Sequence, residues 1–257
     1  MLTPPEIARS LLAAGESKAR LPFGKMLLLA ILAGAYIALA GVGATAAAVT
    51  VESGSLAKLL SACVFPAGLS MVILAGSELF TGNCLMVMAL LERRITPAQL
   101  LRNWLTVYLG NAMGGAAVAA LAVYSHTASL FGDGLARSMV SIAESKAALG
   151  AGDAFLRGVL CNFLVCLAVW MAAASKRAEG KVIALFFPIL LFVLRGYEHC
   201  IANLYYLPAG AFAAAEYGME TTLTLAGCLK NLAAVTLGNL VGGAALGVGY
   251  RFAYLKE

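Results

Sequence analysis

The sequence predicts an all-α integral membrane protein of six transmembrane helices, built as an inverted 3+3 repeat with helices two and five broken. Three observations lead there: a charge-poor, apolar composition gathered into stretches of membrane-crossing length, self-similarity at half the chain, and matching polar interruptions in the second and fifth stretches.

Of the 257 residues, 61% are hydrophobic and 12% charged, and the mean hydropathy is +0.88. A soluble domain is about 25% charged, so water is not the main solvent of this chain. A bilayer core of about 30 Å takes about 20 residues of helix to cross. Stretches that satisfy this run over 25–51, 56–91 with a break inside, 101–124, 154–174, 182–207 with a second break, and 229–250. Short polar loops separate them, so residues 25–257 read as one transmembrane domain. Residues 1–24 read as a cytoplasmic amphipathic helix. Ile7, Leu11 and Leu12 fall near one face, with Glu6, Arg9 and Glu16 interleaved. Such a helix lies on the inner membrane surface, and a solvated tail is the alternative. The leader lacks a small-residue cleavage signal after a short apolar core, so it does not read as a removable signal peptide.

The six cysteines show no C-x-x-C pair and no dense framework, and they read as reduced packing residues. The formal charge of +5 is placed at segment ends rather than in a nucleic-acid-binding cluster. Arg9, Lys18, Arg20, Lys25, Arg93, Arg94, Arg102, Lys176, Arg177, Lys181, Arg251 and Lys256 fall on one face under this topology. The opposite face holds chiefly Lys58, Arg137, Lys146 and Lys230. By the positive-inside rule both termini are expected in the cytoplasm.

The segment from Asn103 to Ala117 aligns without gaps on Asn231 to Ala245. Identities include Asn103/Asn231, Gly110/Gly238, Asn111/Asn239 and the Gly114-Gly115/Gly242-Gly243 pairs. Small residues serve close helix packing in any membrane bundle, but identity of the asparagines asks for more than packing. Three spans per half is an odd number, so the halves must insert with opposite orientation. Consistently, Ser77-Glu-Leu-Phe-Thr-Gly-Asn83 and Tyr197-Glu-His-Cys-Ile-Ala-Asn203 each place a glutamate five residues before an asparagine. Broken spans of this kind line the site near the bilayer midplane.

A titratable side chain within a span costs about 2.5–3.5 kcal/mol on insertion scales, so each needs a partner or a water-filled path. Glu78 and Glu198 either accept hydrogen bonds from backbone amides freed at the breaks or serve the pathway. His199 changes protonation near neutral pH and stands beside the second break; a satisfied core histidine is the plainer reading. Thr81 and Gly82 follow the first break, where a hydroxyl and backbone amides can replace the hydration of an anion. Arg195 and Lys146 add positive potential, the second from an outer loop. No paired Asn-Pro-Ala signature marks a water channel. No metal-ligand set, G-x-S-x-G or phosphate loop is present, so no cofactor or metal is called for. A membrane-embedded hydrolase using His199 remains the enzymatic alternative, and a purely structural protein the third.

Three stretches carry a resemblance: Leu74-Ala-Gly-Ser-Glu-Leu-Phe-Thr-Gly82, Gly158-Val-Leu-Cys-Asn-Phe-Leu-Val-Cys-Leu-Ala168 and Gly196-Tyr-Glu-His-Cys-Ile-Ala-Asn203. In this order they closely resemble the formate/nitrite transporter family. The resemblance implies a non-enzymatic, aquaporin-like six-helix protomer in a homopentamer of the inner membrane, with one anion pore per protomer. It implies Leu69, Leu79 and Phe80 as the cytoplasmic constriction and Phe65, Val165 and Phe192 as the periplasmic one, with Thr81 and His199 between. Lys146, Glu198, Asn162 and Asn239 match the family's polar residues around that chamber. The implied cargo is a small monovalent anion of a weak acid, formate first, with nitrite and hydrosulfide as alternatives. Lys146 and Arg195 would concentrate the anion, Thr81 would hydrogen-bond it, and His199 would either stabilise it as a cation or hand it a proton.

Overall fold

The computed structural model describes residues 1–256, and the described residues form helices and connections with no strand. The helices are α1 (Pro4–Ala19), α2 (Phe23–Ala46), α3 (Gly54–Val64), α4 (Pro66–Ala75), α5 (Phe80–Asn83), α6 (Val87–Leu91), α7 (Pro97–Tyr124), α8 (Gly134–Ala148), α9 (Ala151–Ala173), α10 (Ala178–Arg195), α11 (Cys200–Glu216) and α12 (Leu225–Tyr254). The spans α2, α3–α4, α7, α9 and α12 are long and apolar enough to cross a bilayer. The remaining crossing is the interrupted pair α10–α11. The apolar side chains left exposed on these helices, such as Leu105, Leu109 and Leu237, suit a lipid or protein surrounding rather than water.

Both breaks are made by the same device. Gly76 (φ +78°) ends α4 and Gly196 (φ +69°) ends α10, each in the left-handed conformation that closes a helix without a Cβ penalty. Three residues later Leu79 and His199 stand in extended conformation as N-caps of α5 and α11. The fifth span runs further than its apolar pattern indicates. The apolar stretch ends at residue 207, but α11 continues through Pro208 to Glu216; neighbouring helices in a membrane bundle re-satisfy the backbone that a proline frees.

The glycines of the repeat set how closely the halves are packed. A Cβ on Gly114 of α7 would lie 2.0 Å from the Ile31 carbonyl oxygen of α2, and one on Gly242 of α12 would lie 2.0 Å from Val159 O of α9. These are equivalent contacts in the two halves. Gly242→Ala is therefore expected to force backbone apart and cost about 3 kcal/mol or more, the upper range for overpacking. Loss of monodisperse protein and a lowered unfolding temperature in detergent would register it.

The repeat also takes in the polar helices. The amphipathic α1 tucks Ile7 and Ala8 against Met88, Trp170 and Ala174, so protein covers that face. Its counterpart is α8, in the loop between the third and fourth spans, where the apolar stretches mark no element. Three crossings separate α1 from α8, which places them on opposite faces of the molecule. Each half is thus one short amphipathic helix followed by three spans, and each short helix carries a lysine in its last turn, Lys18 and Lys146.

Candidate functional site

Breaking a helix in an apolar surrounding frees backbone groups that must find partners. The repeated asparagines supply them. Asn111 Oδ1 accepts Phe80 N–H at 3.0 Å, while its Nδ2 donates to Ala30 O and Glu78 O at 2.7 and 2.9 Å. In the other half Asn239 Oδ1 accepts Cys200 N–H at 2.9 Å, and its Nδ2 donates to Gly158 O and Glu198 O at 2.8 and 2.9 Å. These asparagines, rather than the glutamates, satisfy the backbone at the breaks.

The glutamates instead meet lysines. Lys18 Nζ lies 2.6 Å from Glu78 Oε1, and Lys146 Nζ lies 2.9 and 3.1 Å from the two Glu198 oxygens. Asn83 donates to Glu78 and to Asn103, as Asn203 does to Glu198 and Asn231. The two pairs differ in depth: Lys146 and Glu198 are 15% and 6% exposed, against 30% and 8% for Lys18 and Glu78. Removing one partner of a buried pair costs about 3–5 kcal/mol, so Lys146→Met is expected to destabilise by about 3 kcal/mol. Lys18→Met, screened by solvent, should stay nearer 1 kcal/mol. Paired thermal melts of the two variants check the difference.

Two cavities approach the breaks from opposite faces. The one beneath α8, about 500 Å³, holds Lys58, Arg137, Lys146 and Glu198 and ends on Phe65, Phe192 and His199. The one beneath α1, about 310 Å³, holds Lys18 and Glu78 and ends on Leu69, Val72 and Leu79. Phe65 and Phe192 meet edge to face with ring centroids 5.7 Å apart, and Phe192 stacks on the His199 ring at 5.9 Å. Between the cavities Thr81 Oγ1 and His199 Nε2 are 2.9 Å apart, on residues from opposite halves, both buried.

The hydrogen bonds fix the state of the histidine. His199 Nδ1 accepts the Ala202 N–H at 3.0 Å, capping α11, so it carries no proton. The proton of a neutral ring then sits on Nε2 and is donated to Thr81 Oγ1. An imidazolium would give up the cap. Thr81 is fully buried and lines neither cavity, and its hydroxyl hydrogen has no partner among the described residues. From α9, Asn162 donates to Thr81 O at 3.2 Å and to Asn239 O at 2.7 Å, tying the two breaks together.

Val165 is buried among the same apolar residues as Phe65 and Phe192 but lines neither cavity. Phe80 also lines neither; it packs on Tyr108 and Trp104, with centroids 5.1 and 6.4 Å away. Arg195 stands apart from the site. It occupies the last turn of α10, exposed, where a cation suits the negative end of the helix dipole, and it lines neither cavity. Asn83, which the sequence marks by its spacing from Glu78, belongs to the site, and so does Lys18, which the sequence places only among the basic residues of one face. The signal for Lys18 was its match to Lys146 at the offset that relates Asn103 to Asn231.

A family model described as formate/nitrite transporter matches residues 5–253. The chain is 38% identical to a probable formate transporter of Methanothermobacter thermautotrophicus, over 99% of this chain and 98% of the relative. Among solved structures, an FNT family ion channel superposes with a TM-score of 0.87 at 32% identity, covering 96% of this chain and 98% of the other. A pentameric formate channel with formate bound gives a TM-score of 0.80 at 33% identity, with 91% and 98% covered. The matched family and these relatives are transporters and channels, which sets the hydrolase alternative aside. A full-length match to the family, the same fold, and the paired breaks around a buried polar centre lead to one assignment: this multi-pass membrane protein belongs to the formate/nitrite transporter family.

Proposed function

We propose that each protomer conducts a small monovalent anion of a weak acid, formate first, and that a proton travels with it. The observation that carries this reading is the Thr81–His199 pair, a polar centre buried between two cavities that end on apolar side chains. The formate bound in the related channel supports the choice of cargo, and that channel's pentameric state supports a homopentamer here. The distribution of basic residues supports an inner-membrane location with both termini, and therefore α1, in the cytoplasm.

The apolar barrier sets the chemistry. Taking an anion past Phe65, Phe192, Leu69 and Leu79 costs several kcal/mol in lost hydration, and a neutral acid is far less penalised. An anion drawn in by the cavity lysines therefore takes a proton as it leaves water, because desolvation disfavours the charged form. At the centre the Thr81 hydroxyl, held by the neutral His199, donates a hydrogen bond to the carboxyl group. The acid then passes the second apolar ring and ionises in the opposite cavity. In this scheme His199 works as a neutral donor through Thr81, which the Nδ1 cap favours over a cationic role.

The test is uptake into proteoliposomes of formate, nitrite and hydrosulfide, with and without a pH gradient, against protein-free liposomes. Formate uptake above the protein-free rate that increases as the source side is acidified is expected. Equal rates in protein-free liposomes, for all three anions, would remove the reading.

A further inference from the structure

The cavity beneath α8 is much larger than a three-atom anion needs, and its charge is not balanced. A ring-sized guest fills about 150 Å³, against about 500 Å³ here. Three cations, Lys58, Arg137 and Lys146, face it with one carboxylate, Glu198. Lys146 is engaged by that carboxylate, and Arg137 gives one N–H to Gly132 O and keeps its others. Lys58 has no ion pair or hydrogen bond among the described residues, and its Nζ lies 3.9 Å from where a Cβ on Gly196 would stand, beside the break. The floor is apolar and aromatic, Phe65 and Phe192, with Tyr206 on the wall. The cavity beneath α1 lacks this combination: it is smaller, and its cation, Lys18, is already paired with Glu78.

We propose that the α8 cavity is a binding site for an organic anion larger than the permeant one, which seats its charge at Lys58 and Arg137 and its ring on Phe65, Phe192 and Tyr206, plugging the pore from that face alone. A cavity of ligand size with net positive charge, hydroxyl-bearing walls that include Thr45, Ser61, Ser138 and Ser141, and an aromatic floor suits an anion that carries a ring. An anion of a strong acid cannot shed its charge by protonation, so on the scheme above it enters the cavity and goes no further. The inference rests on the transport reading for its blocking effect, but binding itself does not.

The experiment uses benzenesulfonate as the probe and methanesulfonate as an anion of equal charge without the ring. Initial formate uptake is measured in right-side-out and inside-out membrane vesicles. Benzenesulfonate on the α8 face is expected to raise the half-saturating formate concentration and leave the maximal rate, with little effect from the α1 face and a weaker effect of methanesulfonate. The double variant Lys58→Met/Arg137→Met should need about fivefold more benzenesulfonate, the upper range for a partly exposed ion pair, while Lys58→Arg should behave as the parent. Calorimetric binding of benzenesulfonate to the purified parent and double variant gives a second reading that needs no flux. Equal inhibition from both faces, equal potency of the two sulfonates, or binding unchanged in the double variant would overturn the site. Absence of formate uptake in the parent, with binding intact and charge-dependent, would overturn the transport reading and leave the site standing.

Discussion

Asn239→Leu is expected to prevent recovery of folded protein. Its side chain is the partner of Cys200 N–H, Gly158 O and Glu198 O, all in the buried region where α10 gives way to α11. A buried backbone group left without a partner costs about 1–3 kcal/mol; Gly158 O keeps its bond within α9, but Cys200 N–H and Glu198 O lose theirs, and the two together reach the lower end of a typical domain's stability, about 5–15 kcal/mol. Asn111→Leu should fail in the same way, because Phe80 N–H and Glu78 O lose their partner together. Yield of monodisperse protein in detergent measures both. A well-folded Asn239→Leu variant would mean that the breaks are held by something other than the repeated asparagines.

The second large effect is expected at Thr81. Thr81→Val keeps the shape and deletes the hydroxyl that stands between His199 and a guest. A hydrogen bond between neutral groups is worth about 0.5–1.5 kcal/mol, so formate flux should fall about twofold to tenfold with the protein still folded. Thr81→Ser restores the donor and should recover most of the flux. Proteoliposome uptake rates, normalised to reconstituted protein, distinguish this from a packing defect, which serine would not repair.

Much of this architecture is legible in the sequence because membrane insertion leaves few options. Apolar stretches give the spans, and the asparagines and glycines repeated at half the chain give the inverted halves. The glutamate-to-asparagine spacing marks both breaks, and Gly76 and Gly196 sit where the structure ends α4 and α10. What the local pattern hides is pairing over distance. Lys18 meets Glu78, and Thr81 meets His199 from the other half, and neither partnership leaves a mark in a short window of residues. The helix α8 is hidden for another reason. Leu135, Met139 and Ala143 do recur at helical spacing, but the segment is too polar to register as a crossing. It becomes visible once the half-chain offset is carried back to Lys18. Arg195 shows the opposite case, a cation that composition draws towards the pore and that the last turn of α10 turns outward.

In the proposed scheme His199 serves as a neutral hydrogen-bond donor through Thr81, while the proton that accompanies the anion comes from water at the mouth of the barrier. This role is tested most directly by the dependence of formate uptake on source-side pH in the parent and in His199→Phe. A slower His199→Phe is expected whose flux still rises as the source side is acidified, at most about tenfold per pH unit for one proton per anion. A His199→Phe variant whose uptake no longer responds to pH would contradict it and make the histidine itself the group that binds and releases the proton.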